Sequence, residues 1–122
     1  MKRLFTLLFF IKAIALNAQT TNFQKLYGDT INDDGFSVCK SKHDNSYVVV
    51  GQAQYVSNQA LIIKTNQFGD TLWKKSINNA NGSQGRCVIQ TKDSGYVIVG
   101  TCNMTLGSDF LIVKLDKNGN TL

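Results

Sequence analysis

The sequence predicts an all-β protein, and three observations carry that expectation. β-Branched and apolar residues run consecutively at Val48-Val49-Val50, Leu61-Ile62-Ile63 and Val97-Ile98-Val99. Turn-forming residues separate these runs at regular spacing, as at Asp44-Asn45-Ser46, Asp93-Ser94-Gly95 and Asn118-Gly119. The chain of 122 residues has no Glu and no Pro, while Gly occurs ten times and Asn twelve. Such a composition argues against a helical bundle, and 43% hydrophobic residues argue against disorder. The length allows one ordinary domain.

The first eighteen residues read as a targeting segment. Met1-Lys2-Arg3 is a basic start, Leu4 to Ile11 is apolar, Lys12 interrupts, and Ala13 to Leu16 resumes before Asn17-Ala18-Gln19. This is the pattern of a secretory signal peptide cut after Ala18, with Lys12 and Leu16 as departures from it. A membrane anchor or a buried N-terminal helix are the other readings, although the apolar run is short for a bilayer. Lys2, Arg3 and Lys12 leave with the segment. The remaining chain keeps ten Lys and Arg against eight Asp, so a net charge of +5 becomes +2. No basic run interleaved with aromatics remains, and nucleic acid is not an expected partner.

Residues 19–122 read as two copies of one unit, 23–72 and 73–122. Tyr47-Val48-Val49-Val50-Gly51 recurs as Tyr96-Val97-Ile98-Val99-Gly100, Leu61-Ile62-Ile63-Lys64 as Leu111-Ile112-Val113-Lys114, and Gly69-Asp70-Thr71-Leu72 as Gly119-Asn120-Thr121-Leu122. Gly35, Val38 and Lys42 match Gly85, Val88 and Lys92, and His43 is a one-residue insertion. About fifteen positions of fifty are identical. Each unit reads as four strands. Strand a covers 35–42 and 85–92, strand b 46–54 and 95–103, and strand c 59–65 and 109–115. Strand d covers 71–77, with Phe23 to Tyr27 as an earlier counterpart. The polar stretch 78–84 joins the units. Asn118-Gly119 is expected to supply positive φ angles to a c–d hairpin.

Strands b and c lack apolar–polar alternation, so both of their faces should be buried. Four antiparallel strands in fifty residues, covered on both faces, describe a β-propeller blade. The expected architecture is therefore two four-stranded antiparallel β-propeller blades, a partial propeller. An eight-stranded sandwich is the alternative, and it usually shows cleaner alternation. A ring needs about four blades or more. Two blades with a strand d in front and an incomplete one behind suggest a fragment of a longer protein, or an oligomer that completes a ring from several chains.

The stretch from Asp93 to Gly100, followed by Gly107 to Leu122, resembles the repeat of secreted bacterial β-propeller proteins. The first copy departs from that pattern at Asn45-Ser46 and Thr65-Asn66. The resemblance implies export to the cell envelope or beyond, and proteins of this kind often end in a C-terminal sorting domain for type IX secretion. It implies no general set of catalytic residues.

The candidate sites are few. Phe23 and Trp73 open equivalent strands and, with Tyr47 and Tyr96, are expected to pack one blade on the next. Sugar stacking is the sharper reading of the same aromatics. Cys39, Cys87 and Cys102 form neither a CxxC nor a metal-ligand spacing. They read as small buried hydrophobes, with a Cys87–Cys102 bridge across the a–b hairpin as the alternative. His43 reads as a solvated turn residue. Asp116-Lys117-Asn118-Gly119-Asn120 begins like a calcium loop, but its Gly comes too early and no Glu closes it, so it reads as a hairpin turn. Asn81-Gly82-Ser83 and Asn103-Met104-Thr105 are glycosylation sequons. Asp29-Thr30-Ile31 and Asp70-Thr71-Leu72 look like O-glycosylation acceptors of some envelope proteins.

No cofactor motif stands out. The expected function is a non-catalytic binding, adhesion or scaffold module of the envelope or exterior. Its expected partners are further propeller repeats, a second copy, or a surface glycan or protein. Part of a propeller enzyme acting on glycans is the alternative, although paired acids at a blade top are missing from the pattern. A non-functional truncated remnant is the third reading.

Overall fold

A computed structural model describes residues 22–28, 32–54, 58–77 and 81–122. The expected signal segment 1–18 and the acceptor triplet at Asp29 lie outside these residues. None of the described residues is helical. The first sheet is an antiparallel meander of β1 (Asp33–Lys40), β2 (Tyr47–Gln54), β3 (Asn58–Thr65) and β4 (Thr71–Ile77), in that spatial order. The second holds β5 (Ser83–Gln90), β6 (Tyr96–Met104) and β7 (Gly107–Leu115). The expectation of all-β structure holds, and the two sheets do not close on each other into a barrel or ring.

Local chemistry explains the turns. Ser46 N donates to Asp44 Oδ1 at 3.1 Å, and Gly95 N donates to Asp93 Oδ1 at the same distance. These Asx turns leave Asn45 at φ 53° and Ser94 at φ 65°. The loops after β3 and β7 are built by Asn66 and Asp116, whose side-chain oxygens each accept two backbone N–H groups. Gly69 and Gly119 take the left-handed positions there, at φ 81° and 86°. Asn118 does not share the positive φ expected of it, because the turn is closed by the bond from Gly119 N to Asp116 O.

Both a–b hairpins break register at the same place, between Gly35 and Ser37 and between Gly85 and Cys87. In each, the neighbouring strand passes a glycine. A Cβ on Gly51 would run into the Asp34 carbonyl oxygen, and one on Gly100 would run into that of Gln84. No side chain fits between these backbones.

The core lies between the sheets. Val48, Val50 and Ile62 of the first sheet meet Val88, Tyr96, Ile98, Val113 and Leu115 of the second. Strand β5 packs across β1, β2 and β3. Ser83 is 2% exposed and bridges the layers, accepting from Ala60 N and donating to Ile77 O. From Ala60 to Thr65 every residue of β3 is buried, which matches the unbroken apolar reading of that strand.

Two expectations are corrected. Residues 23–27 form no strand; their contacts run to the Gly69–Asp70 turn and to the face of the first sheet rather than along a strand edge. The second unit has no described fourth strand; a single bridge from Leu115 to Thr121 marks where one would start.

Candidate interaction surface

Strand pleating assigns each side chain to a face. In the first sheet, Val48, Val50, Ile62 and Trp73 face the second sheet, while Tyr47, Val49, Leu61 and Ile63 face away. In the second sheet the faces are exchanged. Tyr96, Ile98, Leu111 and Val113 point inward, while Val97, Val99 and Ile112 point away. Tyr96 is the sequence counterpart of Tyr47, and Val99 of Val50. The Tyr96 face of one sheet thus covers the Val50 face of the other, with no two-fold relation between them.

Of the four expected packing aromatics, Trp73 and Tyr96 sit at this boundary, whereas Phe23 and Tyr47 pack together on the far face of the first sheet, which the second sheet does not cover. Trp73 meets Tyr96 at a centroid distance of 6.3 Å and an angle of 65°. Phe23 meets Tyr47 at 6.0 Å and 60°. Phe23 lies against Gly69, and Trp73 lies against Gly119. Residues 22–28 are held by the Tyr27 hydroxyl, which donates to Gly69 O at 2.6 Å, and by an ion pair between Lys25 and Asp70. Tyr27 also packs on Ala53, Leu61 and Ile63.

Two surface features follow. The outer face of the second sheet is apolar and open, with Ile112 71% and Phe110 94% exposed, and Ile89 and Val99 exposed beside them. The outer face of the first sheet carries a mainly apolar recess of about 140 Å³, bounded by Gly35, Val49, Leu61, Ile63 and Tyr27, with Asp33, Asp34 and Gln52 also on its wall.

A polar cleft lies at the turn end of the interface, lined by His43, Asp44, Lys64, Gln90, Tyr96 and Lys117 among others. Lys64 Nζ donates to Asp44 Oδ2 at 2.8 Å and stands 5.6 Å from the centroid of the Tyr96 ring. Burial alone would lower the Lys64 pKa, but the Asp44 carboxylate and the Tyr96 hydroxyl outweigh it and raise the value. Burial likewise pushes Asp44 up, and its bonds from Lys64, Ser46 and Ser41 win, holding it well below the usual carboxylate range. Lys114 and Thr91 do the same for Asp93. Asp116 is lowered by its bonds from Asn120.

The cysteines are corrected in part. Cys39, Cys87 and Cys102 are free thiols. The register places Cys87 opposite Val99 and Cys102 opposite Ser83, on opposite faces of the sheet, so the Cys87–Cys102 bridge does not form. Cys87 is exposed rather than buried, because its face of the second sheet is uncovered. His43 is exposed in its turn, as expected. Among the described residues, no cluster of three or more His, Cys, Asp or Glu could hold a metal ion. Ser83 of the first sequon is locked in the sheet interface.

The recess at Gly35 and the polar cleft escaped sequence reading, because both depend on which face of each sheet is covered. No family model matches the chain, and no characterised protein matches it significantly.

Proposed function

We propose that this chain is an exported, non-catalytic scaffold segment made of two β-propeller-type blades, which acts by presenting its sheet faces and turn ends at the cell envelope or outside the cell. One observation carries the reading: the Tyr96 face of the second sheet covers the Val50 face of the first, while the Val99 face of the second sheet stays exposed and the far face of the first, packed by Tyr27 over Leu61 and Ile63, keeps a recess at Gly35. That directional stacking is how blades add to one another around a ring. The matched registers, glycine contacts and aromatic pairs of the two sheets support a duplicated unit. The basic and apolar start of the sequence supports export.

The glycan-hydrolase alternative has less support. A general acid needs a carboxyl whose pKa is raised. Asp44, Asp70, Asp93 and Asp116 are all lowered by the turn and ion-pair contacts that engage them.

The test is expression with the native start in a bacterial host, followed by fractionation and intact-mass measurement. The mature protein should begin at Gln19 and appear outside the cytoplasm. Cytoplasmic protein with Met1 to Ala18 intact overturns the export half of the reading.

A further inference from the structure

Gly85 and its sequence counterpart Gly35 occupy the same place in their sheets but not the same surroundings. A Cβ on Gly85 would lie 3.3 Å from Val50 Cβ, because Val50 of the first sheet presses directly on it. A Cβ on Gly35 would meet only Val49, at 3.7 Å. The space that Val50 fills above Gly85 is, above Gly35, the mainly apolar recess of about 140 Å³. The counterpart of Val50 is Val99, which stands 41% exposed on the outer face of the second sheet, next to Ile112.

We infer that the exported chain, 19–122, assembles head to tail with a second copy of itself, Val99 and Ile112 of one copy seating in the Gly35 recess of the next. The inference rests on the blade reading proposed above and names the partner of its open faces.

Three further observations fit the same occupant. Lys114, held by Asp93 at 2.8 Å, lies on the outer face and would reach Tyr47 of the next copy, as Lys64 reaches Tyr96 within one chain. Beyond the bridge of Leu115 to Thr121 and the bond from Leu122 N to Lys114 O, the outer edge of β7 carries no strand among the described residues, whereas the matching edge of β3 pairs with β4. Residues 23–27 are the sequence counterpart of 73–77 in β4, with Lys25 matching Lys75. Phe23 already sits against Tyr47 and Gly69 as Trp73 sits against Tyr96 and Gly119. When a second copy docks, this segment lies along its β7 edge, Phe23 beside Lys114 and Lys25 beside Ile112, following the pairing of Trp73 with Lys64 and Lys75 with Ile62. The segment need not leave its place to do so. The two contacting surfaces differ, so the contact is heterologous and repeats until a ring closes or a filament grows.

The test is sedimentation velocity on the exported chain, with two variants that each block one surface. Val99→Lys places a charge on the outer face and should weaken association at least about tenfold. Gly35→Val fills the recess from within; if it fails to melt cooperatively, Val49→Phe takes its place. Wild type should sediment as an assembly larger than a dimer, and each variant alone as a monomer. An equal mixture should give a dimer and nothing larger, because each variant keeps one working surface. Monomeric wild type, a mixture that stays monomeric, or a variant that dimerises alone overturns the inference. Any of these results leaves the export reading standing, since that is decided by the mature N-terminus.

Discussion

Trp73 of the first sheet reaches across the sheet interface to meet Tyr96 edge-on, and its ring closes over Gly119 in the turn after β7. One side chain therefore ties β4, β6 and the last hairpin together. Phe23 makes the matching contacts with Tyr47 and Gly69 but is 42% exposed. Trp73→Ala should cost about 2–3 kcal/mol, below the full range for a buried Trp because the ring is half-buried. Phe23→Ala should cost under about 1 kcal/mol on the same scale. Urea melts followed by circular dichroism check both, since Trp73 is the only tryptophan and its removal silences fluorescence.

Gly51 and Gly100 face the carbonyls of Asp34 and Gln84 where the hairpin register shifts. Ala at either position has to push two backbones apart. Gly100→Ala and Gly51→Ala should each destabilise by about 3 kcal/mol or more, at the upper end for overpacking. Gly35→Ala, which meets only ordinary contact with Val49, should change stability by less than about 1 kcal/mol on that scale. Thermal melts of the three variants should separate them clearly.

The pair of Lys64 and Asp44 makes stability depend on pH at the acid end. The Asp44 pKa is lower in the folded chain than in the unfolded one. Its contribution is therefore complete above the unfolded value of about 4 and is lost as pH falls below that toward the folded value. Asp44→Asn should make this acid limb shallower, the remainder coming from Asp70, Asp93 and Asp116, which are lowered as well. It also leaves Lys64, whose side chain is 8% exposed, without its carboxylate; the partner is 46% exposed, so the cost should be about 1–2 kcal/mol. Urea midpoints measured from pH 2 to pH 7 check the slope and the offset together.

Ser94 adopts φ 65° at the tip of the second a–b hairpin, where the first hairpin has Asn45 at φ 53°. Asn tolerates the left-handed region better than Ser does. Ser94→Asn should stabilise the chain by about 0.5 kcal/mol, read as an increase in the urea midpoint at constant slope.

Much of the architecture was legible before any coordinates. The seven described strands fall within two residues of their sequence-derived ends, because Val, Ile and Leu runs bounded by Asx turns mark both a strand and its limits. The strand expected at 23–27 was misread for a physical reason. Phe23 and Lys25 have the pattern of β4, but pattern does not supply a neighbouring edge to bond with. The alternative Cys87–Cys102 pairing fails because the register shift between Gly85 and Cys87 carries Cys87 to the face opposite Cys102, and the thiols are free as the leading reading has them. The recess at Gly35 could not be read from strand patterns at all. Its emptiness comes from the absence of a Val50-like side chain over the outer face of the first sheet.

The exchange of faces between the sheets makes the chain directional in its tolerance to mutation. Val50 is fully buried and Val99 is 41% exposed, although the two residues are identical in type and sit in matching stretches of sequence. A polar residue at 50 strikes the folding core, while the same residue at 99 meets water or a neighbour. Ile62 and Ile112 are divided in the same way, at 0% and 71% exposure. Polar substitutions at 50 and 62 should therefore destabilise the fold far more than the same changes at 99 and 112. Drift in the second unit should collect at 89, 99, 110 and 112 for as long as nothing sits on them, so the substitution record at those four positions would register how constantly that face has been occupied.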